Sequence, residues 1–549
     1  MKGTVELAGQ SFKWDAALNY GRSRTRSELF YIDRGRLLAA ADAIRAPAGN
    51  IVCAGGSPGC VPIDLFGLAR ESPAAIDYVS NIGAAVSTNT QRVATLNLGS
   101  DFALGRSEPL SLNIGYEHRQ EDADFDPDAL LRAGDFSLPP ITAVNGSFKT
   151  HEAYGEALIP VILPAAQLPG IRRLSVEGAA RYVDNSLAGA DTTWSVGTHL
   201  EPRLGKWSEG LSLRGVLAHS VRAPAATELF LPPSTGRTTA QDPCDSRYFR
   251  SGPNPGVRAA NCTAALAPFG VTPGQFTSLI VDNPRDGIEG AGNLHLHNET
   301  ADSWSAGFVD HPSTLPNLTL AADWIHIHLQ SGIENLALTP LLEACYDSPA
   351  FPGPAACSAF TRGSGLQAGQ ITAYRSGFIN AGSLEFSGLL GRIDYSLELS
   401  RLSPPWRSAG SLRLALQVAH IARFRQDVIA GVSDDLRGEV GYPDYKLSWD
   451  IQYRGSRFDV LLRTTWTSPV KLDNSASLET LPINAVGSYS LSSLTLGFDM
   501  TPRLRAQLLI NNLFDRGPPA ATVLQPTDIS RRAYDRIGRT FALSLSGAL

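Results

Sequence analysis

The side chains able to do chemistry in this chain are ten histidines, six cysteines, a run of carboxylates and a loop rich in arginine. His295/His297 and His326/His328 each stand two residues apart, so in an extended segment both rings of a pair project to one side. Neutral imidazole ligates iron and other transition metals, which sets metal capture against the plainer reading of loop-end histidines. His151-Glu152 lacks the second histidine of a His-Glu-x-x-His site. The run Glu121-Asp122-Ala123-Asp124-Phe125-Asp126-Pro127-Asp128 offers oxygens to Ca2+ but lacks the Gly and Glu positions of an EF-hand, so a solvated loop is the plainer reading. A Gly-x-Ser-x-Gly elbow, a phosphate loop and a dinucleotide fingerprint at a strand-to-helix junction are all missing. No enzyme, catalytic residue, resident metal or cofactor is expected.

The cysteines form three close pairs, Cys53/Cys60, Cys244/Cys262 and Cys345/Cys357, with spacings of 7, 18 and 12. Zinc sites ask for closer cysteines with histidine neighbours. Three local disulfides are the better reading, each worth about 2–4 kcal/mol in a loop without a core of its own. They imply oxidising surroundings. Arg222, Arg237, Arg247, Arg250 and Arg258 lie near Phe230, Tyr248 and Phe249. Guanidinium forks bind carboxylates and catecholates and stack on aromatic faces, so Arg237, Arg247, Tyr248 and Arg250 are candidates for contact with an anionic ligand. The plainer alternative is that these arginines meet lipopolysaccharide phosphates or keep the surface soluble.

These groups need a scaffold, and composition narrows it. The chain has 549 residues, 18% charged and 43% hydrophobic, with 51 Gly, 36 Pro, 2 Met and a net charge of −6. That balance excludes a disordered chain and gives no basic footprint for nucleic acid. No apolar stretch is long enough for a membrane helix, and no apolar leader follows Met1. A mean hydropathy of −0.07 is compatible with a membrane barrel, where only alternate residues meet lipid.

Period-two alternation is the dominant signal. Leu110, Leu112, Ile114 and Tyr116 are set against Ser111, Asn113, Gly115 and Glu117. Tyr445, Leu447, Trp449, Ile451 and Tyr453 are set against Lys446, Ser448, Asp450, Gln452 and Arg454. About 17 strands are predicted, near 3–8, 12–24, 91–103, 109–120, 147–162, 171–184, 192–204, 210–220, 302–310, 317–329, 380–397, 411–423, 445–454, 457–467, 488–500, 504–513 and 538–549. Turns near Gly9-Gln10, Gly105-Arg106-Ser107, Gly205-Lys206-Trp207, Gly455-Ser456 and Thr501-Pro502 are short. The alternate connections, 25–90, 121–146, 221–301, 330–379, 424–444, 468–487 and 514–537, are mostly long, and they hold every cysteine. Short turns on one side and long loops on the other describe an all-β, antiparallel transmembrane barrel with long extracellular loops. A soluble all-β array is the competing architecture.

Five segments carry a resemblance. Val221-Arg222-Ala223-Pro224 with Glu228-Leu229-Phe230 resembles the Arg-Ala-Pro…Glu-Leu-Phe segment of TonB-dependent outer-membrane receptors. Asn293-Leu294 with Glu299-Thr300-Ala301 resembles that family's Asn-Pro-x-Leu-x-Pro-Glu-Thr-Ala box, without the Pro after Asn. Asn512-Leu513-Phe514-Asp515 matches its Asn-Leu-Phe-Asp signature. Gly538-Arg539-Thr540-Phe541 is similar to its ending, although the last residue is Leu549 rather than an aromatic. The loop from Cys53 through Cys60 to Gly67 looks like a recurrent element of the same receptors.

The resemblance implies the β-barrel domain of such a receptor over residues 1–549, with about 17 of an expected 22 strands and without signal peptide, TonB box or plug. An odd strand count fits two descending ends, and unpaired strand edges would favour misassembly. It further implies a bacterial outer-membrane location, lipid and lipopolysaccharide around the barrel, and uptake of a scarce nutrient such as a ferric siderophore, cobalamin or an oligosaccharide. TonB would engage only through a plug, and nucleic acid is no partner. Haem receptors carry a His between the Arg-Ala-Pro and Asn-x-Leu boxes; this chain has none between Arg222 and Asn293. The competing function is a passive porin-like channel.

Overall fold

The computed structural model describes residues 1–549 apart from 67–70, 104–107, 135–139, 253, 354, 402–409, 430–431, 475, 477–480, 525–531 and 548–549. The turn at Gly105-Arg106-Ser107, Gly67 and Leu549 lie outside the described residues. Seventeen strands follow one another as an antiparallel meander: β1 (Lys2–Leu7), β2 (Gln10–Ile32), β3 (Ser80–Phe102), β4 (Leu110–Pro127), β5 (Val144–Ile162), β6 (Gly170–Asn185), β7 (Gly189–Arg203), β8 (Leu211–Arg222), β9 (Glu299–Asp310), β10 (Leu318–Leu336), β11 (Ile371–Glu398), β12 (Ser411–Ile429), β13 (Tyr445–Arg454), β14 (Phe458–Thr467), β15 (Tyr489–Thr501), β16 (Leu504–Asn511) and β17 (Thr540–Gly547). Each pairs with its sequence neighbours, which lets a long sheet form from local contacts. Ala8 and Gly9 make a two-residue turn, both at positive φ (52° and 78°), the twist such a hairpin needs.

The two sheet faces differ chemically because the side-chain period is two. On β2 one face carries Phe12, Trp14, Ala16, Leu18 and Tyr20, in register with Ser100, Leu98, Leu96, Ala94 and Arg92 of β3. Leu447, Trp449 and Ile451 of β13 share that face with Trp466, Thr464 and Leu462 of β14. Leu18 is 85% exposed and Leu543 72%, and large exposed apolar side chains recur along this face, more than a water-soluble surface carries. The opposite face is laced with ion pairs: Arg181–Glu152 at 2.6 Å, Arg214–Asp323 at 2.6 Å and Arg463–Asp450 at 2.7 Å. Lipid outside and water inside is the arrangement that satisfies both faces. Among the described residues, no helix is long and apolar enough to cross a membrane.

Several strands run further than the alternation predicts. β2 continues to Ile32, β3 begins at Ser80, β4 runs to Pro127 and β11 begins at Ile371. Beyond the lipid both faces meet water, so the sequence loses its contrast while the hydrogen-bond ladder continues. The acidic run is thereby strand and helix cap rather than free loop. Asp122 accepts from Arg92 at 2.9 Å, Asp126 pairs with Arg132, and Asp128 caps the helix Ala129–Ala133 by accepting from the Leu131 N–H at 2.9 Å.

The long connections are folded, which corrects their reading as loops without a core of their own. Residues 223–298 contain the helix Pro255–Leu266, and residues 337–370 contain the helix Leu338–Tyr346. Together they bury a core of Cys244, Cys262, Leu266, Phe276, Ile280, Leu342, Cys345 and Tyr346. A second core of Val440, Val470, Val486, Tyr489 and Tyr534 ties three further loops together.

Candidate ligand-binding loops and the clasp beneath them

Where β8 ends, Pro224 lacks the N–H to extend the ladder, and the chain turns into the helix Ala226–Phe230. Arg222, the last residue of β8, faces Glu299, the first of β9. Its Nε donates to Glu299, while Nη1 and Nη2 donate to the two oxygens of Glu228 at 3.0 and 3.1 Å. Glu228 also accepts from the Ala225 N–H at 2.6 Å, and Glu299 from the Ile333 N–H at 2.6 Å. One guanidinium thus joins a helix, two strands and the next hairpin. Leu229 is buried with Phe148 and Leu296, and Phe230 lies so close to Gly146 that a Cβ there would stand 2.4 Å from its ring. The Asn293 N–H donates to the Glu228 carbonyl at 2.9 Å and its side chain to the Phe378 carbonyl at 3.0 Å; Leu294 is exposed.

A similar knot closes the far end of the chain. Buried Asn512 accepts from the Arg516 N–H at 2.8 Å and donates to Asp535 at 3.2 Å. The Leu513 N–H donates to the Ser492 carbonyl at 2.7 Å, and Asp515 accepts from the Arg539 N–H at 2.9 Å. Phe514 is exposed. The motif residues are therefore fasteners of loops to strand ends.

Above the first clasp, the three cysteine pairs are bonded as expected, Cys53–Cys60, Cys244–Cys262 and Cys345–Cys357. Two fully buried carboxylates organise the larger loop body. Asp242 accepts both forks of Arg362 at 2.8 and 2.9 Å, the Ser278 hydroxyl at 2.7 Å and the Cys244 N–H at 3.0 Å. The Arg362 guanidinium also lies over Tyr346, Phe360 and Phe276. Asp347 takes Arg258, whose Nε donates at 2.6 Å. Burial pushes the Tyr346 hydroxyl up, with Arg362 pulling the other way. Burial pushes Glu343 up as well, offset in part by Arg258.

These contacts sort the arginines of the loop. Arg258 is buried against Asp347, and the exposed Arg247 is held by buried Asp245 at 2.8 Å and by exposed Asp282 at 3.2 Å, so both brace the loop body. Arg237 is exposed beside an equally exposed Asp286 at 3.3 Å. Arg250 is exposed, stacked 5.1 Å over Phe249, and makes no ion pair among the described residues. Tyr248 is half-buried under Arg247, 5.7 Å from its ring. Arg375 was not singled out by sequence because it sits in what reads as loop; it is the fifth residue of β11, beside Ile288, exposed and without an ion pair among the described residues. Inside the barrel, a cavity of about 740 Å³ is lined by Arg119, Glu152, Tyr154, Arg181, Arg222 and Pro224.

Among the described residues, no three His, Cys, Asp or Glu side chains gather as a metal-ligating group. His151 turns outward, 2.7 Å from the Tyr116 hydroxyl, whereas Glu152 turns inward to Arg181. His326 sits 2.8 Å from the Ser387 hydroxyl and 5.8 Å from the Trp304 ring, His328 stands 3.4 Å from Gln330, the His297 N–H donates to Asn380 at 3.0 Å, and the His295 N–H donates to Asn293 at 2.9 Å.

The family described as TonB dependent receptor-like, beta-barrel matches residues 6–513. The chain belongs to the TonB-dependent receptor β-barrel family. Among solved structures it is similar to a ferric enterobactin receptor of Pseudomonas aeruginosa (TM-score 0.58, 14% identity, 100% of this chain and 60% of that one). It is also similar to a siderophore receptor of Acinetobacter baumannii (0.53, 12%, 100% and 61%) and a ferripyoverdine receptor of P. aeruginosa (0.52, 12%, 98% and 54%). The chain spans about 60% of the length of the first two receptors. No curated protein matches it. As a member of this family, the TonB-dependent receptor barrel resides in the bacterial outer membrane, with the apolar face of its strands in lipid. Its long loops then face the outside, where disulfides persist.

The receptor's loop body carries its own pH sensitivity. Burial pushes the Asp245 carboxyl up, but Arg247 and the Arg247 and Ser278 N–H groups outweigh it and hold Asp245 below its ordinary value. A depressed carboxylate adds stability above its unfolded value of about 4, lost as pH falls through the folded value. Amide exchange around Asp245 and Ser278 is expected to accelerate below about pH 4, and Asp245→Asn to flatten that acid limb.

Proposed function

We propose that residues 1–549 form the barrel of an importer that takes an anionic nutrient complex of the ferric-siderophore class at its outer loops. TonB would supply the work through a plug domain. Two of the solved receptors similar to this chain are named for ferric enterobactin and ferripyoverdine, both iron complexes. What carries the reading here is a pair of exposed guanidiniums, Arg250 and Arg375, without acid partners among the described residues, displayed on a braced loop body. Asp245, Asp282 and Asp347 engage Arg247 and Arg258, leaving Arg250, Arg375 and the exposed Arg237, whose partner Asp286 is itself exposed, to meet a ligand. A fixed scaffold lowers the ordering cost of binding. Import is ligand binding and passage, with no bond made or broken.

Quenching of intrinsic fluorescence by ferric enterobactin and ferripyoverdine, with the full chain in micelles, tests the assignment. Saturable binding is expected for at least one complex, weakened about tenfold or more per guanidinium in Arg237→Ala, Arg250→Ala and Arg375→Ala. Binding indifferent to all three, or absent with both complexes, would remove the assignment. Free, non-selective sugar flux through liposomes would instead mark a porin.

A further inference from the structure

The inner face of β4 changes character above the membrane. Leu110, Leu112, Ile114 and Tyr116 take the lipid face, and the β3–β4 register runs without a shift from Leu110 to Pro127. Glu117, Arg119, Glu121, Ala123 and Phe125 therefore share the opposite, wet face. Below, that face is charged, with Arg119 and Glu117 paired at 2.7 Å. Above, Phe125 meets its cross-strand partner Val144 of β5. With Phe230, Leu231, Pro232 and Pro233 they line a groove of about 390 Å³. Leu231 and Pro233 are exposed, and Phe125, Val144 and Phe230 are only half-buried. The core that seats the clasp helix uses Leu229, Phe148 and Leu296, and Phe125, Val144 and Leu231 take no part in it. Apolar side chains left open on an otherwise polar face mark a ligand groove.

Cations stand beside this groove. Ser234, on its rim, opens the short strand Ser234–Thr238, which pairs with Arg285–Ala291. Thr235 faces Ile288, and Ile288 in turn faces Arg375 of β11. Residues directly opposite share a face, so Thr235, Arg237, Ile288 and Arg375 lie on one side. Arg237 is about 7 Å along the strand from Thr235, and Arg375 about 10 Å away across two strands. The Tyr374 hydroxyl donates to Glu289 at 2.8 Å and ties these arginine-bearing strands together. Asp124, the carboxylate on the groove lining, belongs to β4, across from the arginines. Negative charge is repelled on the β4 side and drawn to the Ser234 rim.

We infer that the receptor's ligand is an amphiphilic anion, an iron chelate whose charged head meets Arg237 and Arg375 and whose short apolar tail fills the groove of Phe125, Val144 and Leu231. The inference rests on the anion reading of those arginines and adds the tail. The occupant is a small molecule, because a stable protein partner would cover about 800 Å² rather than one narrow groove. Bilayer lipid lies on the other sheet face. Both groove walls, β3–β5 on one side and residues 226–234 on the other, belong to this chain, and β1 and β2 contribute nothing to the lining.

The test is fluorescence quenching of the full chain in maltoside micelles by a ferric tris-catecholate carrying a phenylbutyl tail and by the same chelate without it. The tail is expected to tighten binding about tenfold or more, the worth of burying one Phe-sized group. That gain should persist at high salt, whereas the affinity of the tail-free anion falls. Phe125→Ser, which opens the groove, and Val144→Phe, which fills it, are each expected to remove the tail's gain and leave the tail-free chelate's affinity unchanged. Partition of the tail into micelles is common to parent and variants and cancels between them. Arg237→Ala/Arg375→Ala is expected to weaken both chelates alike. A tail that adds nothing, or a gain that survives both groove variants, would overturn the amphiphile and leave the anion reading standing. Binding indifferent to Arg237→Ala/Arg375→Ala, or no binding of either chelate, would overturn both.

Discussion

Arg362→Ala is expected to release the outer loop body while the barrel beneath stays assembled. Asp242 has no exposed surface, and Arg362 supplies two of its four hydrogen bonds and its only ion pair among the described residues. Without the guanidinium, a carboxylate stays buried with no countercharge, and Phe276, Tyr346 and Phe360 lose the cation they surround. Breaking a buried pair from one side costs about 3–5 kcal/mol, a large part of what a loop body of this size can hold. Limited proteolysis should open residues 239–282 and 338–370, while the heat-modifiable gel shift of the barrel persists. Asp242→Asn/Arg362→Met should recover part of the loss, because the uncompensated charge goes too. If Arg362→Ala leaves those segments as protected as in the parent, the pair does not organise the loops.

Much of this architecture was readable from residue order, for a physical reason. A barrel wall meets two solvents, so Tyr445 to Arg454 must alternate, and β13 occupies the interval read from that alternation. The same reason fixes where reading fails. Above the lipid both faces of β2 are wet, Arg26 and Glu28 resemble loop residues, and the predicted strand ends at 24 although β2 runs to Ile32. Cysteine pairs were legible because their partners are near in sequence. The braces were not, since Arg258 finds Asp347 and Arg362 finds Asp242 across 89 and 120 residues. A guanidinium suited to an external anion suits an internal carboxylate equally well, so residue type alone could not separate Arg247 from Arg250. In the structure the family-motif residues fasten loops to strand ends.

Arg222→Ala is expected to loosen the joint between that loop body and the barrel wall. Glu228 and Glu299 have side chains only 15% and 9% exposed, and both rely on the one guanidinium. Burial pushes the Glu299 carboxyl up, but the Arg222 pair and the Ile333 N–H together hold it low. Remove Arg222 and two partly buried carboxylates face each other, so one of them must take up a proton or swing out to water. Because Arg222 itself is about half exposed, solvent screens part of the loss, and a cost of about 2–3 kcal/mol is expected rather than the full value of a buried pair. Amide exchange should rise at Ala225 and Ile333, whose N–H groups donate to these carboxylates. The loss should be smaller at acid pH, where a protonated Glu no longer needs the cation. Arg222→Lys keeps the charge but reaches one carboxylate at a time, so it should fall between the parent and Arg222→Ala. Equal exchange in all three proteins would mean that the hydrophobic seat of Leu229 and Phe230 carries the joint without the ion pairs.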